Sequence, residues 1–211
     1  MKTRIILLAS IFFFATTTTH AQINEGRYLL GGSFSFYNSS TDNGSTLNTN
    51  LQVGKMIKEN TVVGLLGSIA SSTRSISPKF SIHQYSAGAF YRKYKPLKNN
   101  FYFFGELYGS FQHQRNLQTY FPNINQTLFT KSNGVSVGFI PGISYSVWKK
   151  MQIEATMPNL LGISYQKIKT VDSSLPSTIS SQEENRFSLY ANVNSNLINN
   201  FGIGFKFLLG K

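Results

Sequence analysis

Four charged residues fall where their neighbours are uncharged, and their spacing suggests that they meet. Arg92 and Glu106 share a parity on two neighbouring extended segments, and a turn centred near Asn99 sets them directly opposite one another. Glu154 and Lys206 stand in the same relation across a later hairpin, if that hairpin is centred near Ser180. Charges withdrawn from water have to be paired, so the expectation is an internal ion-pair network. Its chemistry is either structural pairing, or gating and proton conduction. His83 and His113 also match in parity on neighbouring segments, which suggests that they face each other near one rim. Zinc generally takes four ligands, and these two have no Cys or carboxylate beside them, so no metal site and no cofactor is expected. Hydrolytic catalysis needs a nucleophile or activated water, a base and an orienting acid. His113 is flanked by Gln112, Gln114 and Arg115, and the loop acids are confined to Asp42, Asp172, Glu183 and Glu184. No catalytic residue is assigned, and the expectation is a protein that is not an enzyme.

The elements that position these residues are strands. Period-2 alternation recurs in Tyr28–Asn38, Thr46–Lys55, Thr61–Ser72, Ile82–Tyr94, Phe101–His113, Asn133–Val147, Met151–Lys167 and Arg186–Leu209. The last holds a single parity from Phe187 through Leu189, Val193, Leu197, Phe201, Ile203, Phe205 and Phe207. Thr61–Ser72 is apolar nearly throughout, which leaves its facing open. The connections alternate too. Lys55–Asn60, Lys95–Asn100 and Trp148–Lys150 are short and Lys-rich, whereas Ser39–Ser45, Thr73–Ser81, Gln114–Ser132 and Ile168–Asn185 read as longer loops. Short turns at one end and longer loops at the other are the pattern of transmembrane barrels.

The chain has 211 residues, of which 41% are hydrophobic, 14% aromatic and only 13% charged, with formal charge +12 and no Cys. The aromatic content argues against a disordered chain, and the lack of Cys against a disulfide scaffold. Residues 1–21 read as a secretory signal peptide: Lys2 and Arg4 precede an apolar run from Ile5 to Ala15, and small residues lead to a cleavage site after Ala21. That run is too short for a spanning helix, which needs about 20 apolar residues. Beyond it no apolar run approaches that length. A chain that enters a bilayer without such helices does so as a closed barrel, because open backbone hydrogen bonds are not tolerated in lipid.

Alternation alone fits a soluble β-protein equally well, and the polar face separates the two. It carries mainly Ser, Gly, Asn and Gln, with isolated Arg92, Glu106, Glu154 and Lys206. That composition suits a narrow packed lumen better than a water-exposed surface. Tyr91, Phe101, Tyr145, Trp148 and Phe207 are placed to act as interfacial aromatics. The reading is an all-β, eight-stranded antiparallel up-and-down transmembrane β-barrel over residues 22–211.

Several stretches resemble the small outer-membrane β-barrel domain family of Gram-negative envelopes. They are Gly88-Ala89-Phe90-Tyr91-Arg92-Lys93-Tyr94 with Phe103-Phe104-Gly105-Glu106, then Pro141-Gly142-Ile143-Ser144-Tyr145 leading to Gln152-Ile153-Glu154, and Phe201-Gly202-Ile203-Gly204-Phe205-Lys206-Phe207. The resemblance implies a monomer in the cell outer membrane, inserted by the outer-membrane assembly machinery. Members usually end on an aromatic residue, whereas this chain runs on through Leu208-Leu209-Gly210-Lys211. The basic excess suits lipid contact. Lys55, Lys58, Lys93, Lys95, Lys98, Lys149, Lys150 and Lys211 fall at one rim, and Arg74, Lys79, Arg115, Lys131, Lys167 and Lys169 at the other, toward lipopolysaccharide phosphates. No nucleic-acid-reading motif accompanies the charge. The expected role is structural and porin-like, with a mostly plugged lumen. The alternatives are an adhesin or receptor using loops 114–132 and 168–185, or a small ion or solute channel.

Overall fold

The computed structural model describes residues 23, 25–39, 43–75, 79–120, 126–157, 160–175, 178–191 and 202–210. The segment read as a signal peptide lies outside them. The described chain forms strands β1 (Tyr28–Ser39), β2 (Gly44–Lys58), β3 (Thr61–Arg74), β4 (Lys79–Pro96), β5 (Phe101–Tyr120), β6 (Gln126–Trp148), β7 (Met151–Thr156), β8 (Leu161–Leu175), β9 (Thr178–Ala191) and β10 (Gly202–Leu209). All pairings are antiparallel. β1 through β7 pair in chain order, and β10 joins β7 to β1, which closes a ring of eight strands. Above that ring β8 continues β7 and β9 continues β10, with β8 paired to both β6 and β9. The fold is therefore an eight-stranded antiparallel β-barrel.

The alternation works inside out. Leu30, Phe34, Leu51, Leu107, Val137, Ile163, Leu189 and Phe205 all lie on the exposed outer face, Leu189 being 75% exposed. The facing of the third strand, open from sequence, is set by its register: Val63, Leu65 and Ile69 point outward, while Val62, Gly64, Leu66 and Ser68 face the lumen. On β6 the apolar band runs from Tyr145 to Val135, about ten residues or ~33 Å of strand. With the tilt usual for such barrels, that is an apolar belt about 25 Å tall.

Turn chemistry fits the narrow end of the barrel. Asn99 and Asn100 both have positive φ, 57° and 63°, in the β4–β5 connection, where Leu97 N–H donates to the Phe101 carbonyl at 2.7 Å. Asn is among the few non-glycine residues that tolerate this region. Inside the barrel, lumenal glycines stand directly opposite lumenal aromatics on the next strand: Gly64 against Phe90, Phe104 against Gly142, Tyr108 against Gly138 and Gly162 against Tyr190. A Cβ on Gly138 would sit 2.7 Å from the Tyr108 ring. Each ring lies in the space that the missing side chain leaves.

The structure departs from the sequence reading at the wide end. Within 114–132 and 168–185, the described residues are strand rather than open loop. β5 and β6 stay paired up to Tyr120 opposite Gln126, and β8 and β9 up to Leu175 opposite Thr178. Polar residues fall on both faces there, so the apolar alternation vanishes while the hydrogen-bonded ladder continues. Ser180 is not the centre of the last hairpin, because it is itself paired opposite Asp172. The expected single strand over Arg186–Leu209 is described as β9 and β10, and Val193, Leu197 and Phe201 lie outside the described residues. Arg74 ends β3 at the wide end, with lumenal parity.

Candidate functional site

Arg92 on β4 and Glu106 on β5 are direct register partners. Arg92 Nε donates to Glu106 Oε2 at 2.8 Å, and Nη2 approaches the same oxygen at 2.6 Å. Its Nη1 reaches across the lumen to β7, donating to Glu154 Oε1 at 2.7 Å and to the Tyr94 hydroxyl at 2.9 Å. The Tyr94 hydroxyl in turn donates to Glu154 at 3.1 Å. The guanidinium lies over the Phe104 ring, 4.3 Å from its centroid, in a cation–π contact. Arg92, Glu106 and Glu154 are all buried, each at most 2% exposed.

Lys206 joins this cluster by a different route from the one expected. It pairs in register with Gln152, and Glu154 pairs with Gly204. The offset arises because the chain takes longer between Ala191 and Gly202 than between Thr156 and Leu161, and this shifts the register between β8–β9 and β7–β10. Lys206 still comes within 3.9 Å of Glu154 diagonally, and its Nζ donates to Gln52 Oε1 at 2.5 Å. Gln52, like Tyr94, is a residue that sequence reasoning missed. Its Oε1 accepts from both Arg92 and Lys206, and its Nε2 donates to Glu106 at 2.9 Å. Its lumenal parity was legible, but its place beside Arg92 depends on how the tilted strands carry β2 round to β4.

The charged layer divides the lumen. Beneath it lies an apolar core of Leu29, Met56, Val62, Phe90, Tyr94, Tyr102, Phe104 and Leu208, with Ile23 tucked into the narrow mouth at 1% exposure. Backbone bonds from Asn60 N–H to the Ile23 carbonyl and from Gly26 N–H to the Met56 carbonyl hold that segment under the barrel. Above the charged layer is a cavity of about 680 Å³, whose mixed walls include Asn48, Leu66, Ser68, Gln84, Ser86, Ser110, Gln112 and Ile140, and whose floor includes Arg92, Glu106, Glu154 and Lys206. The arrangement is a cup with a cross-linked floor whose formal charges cancel, above a largely apolar base.

The other candidates sit outside this cup. Tyr91, Trp148 and Phe207 are exposed, and the Phe101 and Tyr145 rings lie together at 4.7 Å between centroids, all near the narrow end. His83 and His113 do not face each other: His83 pairs with Arg115, and His113 with Tyr85. His83 bonds Ser71 and Ser81, and His113 bonds Asn133. The register is offset by two residues from the one that would have joined them. Among the described residues, no three His, Asp or Glu side chains gather into a metal site. On the outer face Lys167 lies 2.9 Å from Glu183. That contact holds the Glu183 carboxyl below its usual range and raises Lys167.

No family model and no curated protein matches the chain. Among solved structures, it is similar to Neisserial surface protein A (NspA), at 13% identity over 87% of this chain and 96% of that one, with a TM-score of 0.41. It is also similar to a major outer membrane protein from Thermus thermophilus, at 11% identity over 87% of this chain and 99% of that one, with a TM-score of 0.45.

Proposed function

We propose that this chain is an outer-membrane barrel with a structural, non-enzymatic envelope role and a lumen closed to solutes. The observation that carries the reading is the closure itself. Among the described residues, a buried charged layer of Arg92, Glu106, Glu154 and Lys206, tied together by Gln52, rests on the apolar core beneath it, and two such layers in series support a lumen that does not pass solutes. The exposed apolar belt supports residence in a bilayer, since a contiguous patch of that extent is foreign to soluble monomers. An outer membrane is the setting in which exported barrels of this kind span.

The test is to refold the protein in detergent, follow its migration on gels with and without heating, and record in planar bilayers. The expected result is a heat-dependent shift, detergent-dependent folding and no defined conductance. Stable conductance steps from the wild-type protein would replace this reading with a channel. Folding without detergent would remove the membrane assignment itself. A receptor reading has one observation in its favour, the paired wall of β5, β6, β8 and β9 that rises past the belt.

A further inference from the structure

The outer face of that wall carries an unusual row. Arg115, Lys131 and Lys169 are direct register partners across β5, β6 and β8, and Glu183 on β9 closes the row. Like charges directly opposite on adjacent strands destabilise a sheet, and here three cations lie side by side. Glu183 is the one carboxylate on this face among the described residues, and it is engaged by Lys167 at 2.9 Å, with Lys169 3.9 Å away. Arg115 is braced through Nε, which donates to His113 Nε2 at 3.2 Å, while His113 Nδ1 lies 2.6 Å from Asn133 Oδ1. The guanidinium is thereby oriented without its charge being neutralised.

The height of the row is as specific as its charge. The continuous apolar belt on these strands ends at the register row Phe111, Val135, Tyr165 and Phe187, and a single further apolar row, Leu117, Phe129 and Val171, lies beyond the cations. Above it comes His113, Asn133, Lys167 and Asn185, and then the cations. Each step is two residues, or about 5 Å of height on a tilted strand. Headgroups occupy several ångströms beyond the hydrocarbon on each side, and Lys and Arg side chains reach down along such a surface. The cations therefore stand at phosphate level, two register rows above the continuous apolar surface.

We propose that this face is a binding site for the phosphate groups of an anionic, multiply acylated membrane lipid. Arg115, Lys131 and Lys169 hold the phosphates, and Phe111, Val135, Tyr165 and Phe187 receive the chains. The site rests on the membrane reading above, and bound phosphate offsets the repulsion within the row.

The experiment uses the full chain in micelles of uncharged detergent, titrated with bis-phosphorylated lipid A and followed by native mass spectrometry. Dephosphorylated lipid A and inorganic pyrophosphate serve as comparison probes. The variant Arg115→Gln/Lys131→Gln/Lys169→Gln is expected to bind the phosphorylated lipid roughly a hundredfold more weakly, at about one basic residue's surface attraction each. An equal charge change at the opposite rim, Lys55→Gln/Lys93→Gln/Lys95→Gln, is expected to alter binding less than about threefold. Glu183→Gln is expected to tighten it, because it removes the one competing carboxylate. Unchanged affinity in the first variant, equal loss in the second, or pyrophosphate binding as tightly as the lipid would each overturn the site. A heat-dependent gel shift retained in every variant keeps the barrel reading standing when the lipid site fails. Should the triple variant not fold, Lys131→Gln alone serves, with the same expected direction.

Discussion

All three guanidinium nitrogens of Arg92 donate hydrogen bonds inside the protein, and its partners come from β2, β4, β5 and β7. Removing a guanidinium so placed strands two carboxylates in the interior, which costs about 3–5 kcal/mol when one side of a buried pair is deleted. Arg92→Gln is therefore expected to lower the urea midpoint of the refolded barrel by that order, with the slope unchanged. The reciprocal exchange Arg92→Glu with Glu106→Arg is expected to recover less than half of the loss of Arg92→Glu alone. The new carboxylate at 92 faces Glu154, which Arg92 now holds at 2.7 Å. Full recovery would mean that the Glu154 contact contributes little. Ile23 makes a different residue-scale case. It is buried among apolar side chains at the narrow mouth, so Ile23→Ala is expected to cost about 2–4 kcal/mol by the same measurement. An effect near zero would mean that the segment does not seal the base. The Arg92–Glu106 pairing was legible because parity and a short turn fix opposite residues. Gln52 and Tyr94 were not, because contact across a lumen depends on strand tilt, which no local pattern encodes.

At the scale of elements, the strands were legible wherever an apolar face met a polar one. Val135, Val137 and Phe139 alternate cleanly with Ser136 and Gly138. Above Asn133 polar residues fall on both faces, and Thr130, Lys131 and Ser132 give no period to follow even though the ladder persists. The pairing of lumenal glycines with aromatics is another element-scale device, and it shows only once the register is known. Phe104 fills the space over Gly142 and carries the Arg92 guanidinium on its face. Gly142→Val is therefore expected to displace the ring and cost about 1–3 kcal/mol, as overpacking of a filled interior does. Gly109, whose added Cβ would meet nothing within 4 Å, is the control. Gly109→Val is expected to leave the urea midpoint close to that of the wild type. Equal losses at both positions would point to strand flexibility rather than ring packing.

For the whole molecule, the order of layers along the barrel axis decides how it behaves in a bilayer. A solute entering the wide end meets the mixed walls around Ser68, Ser86 and Ser110, then the Arg92 floor, then the apolar base. Barriers in series are governed by the higher one, and an ion stripped of water in the base meets a larger penalty than one beside paired charges. Weakening the floor alone therefore leaves the base in command, and Arg92→Ala with Glu154→Ala is expected to remain silent in planar bilayers while losing stability. Thinning the base alone, with Tyr102→Ala and Phe104→Ala, leaves the cross-linked floor in place and is expected to be silent as well. Only the four-residue combination is expected to show defined steps, and these should be small, because eight strands leave a lumen just wide enough for side chains to fill. Heat-dependent gel migration of each variant separates a barrel that has opened from one that has not folded. Steps in the floor variant alone would make the ion cluster the sole barrier and the core below it permeable to water. Silence in the combined variant would mean that the side chains above, Tyr108 among them, collapse into the space released.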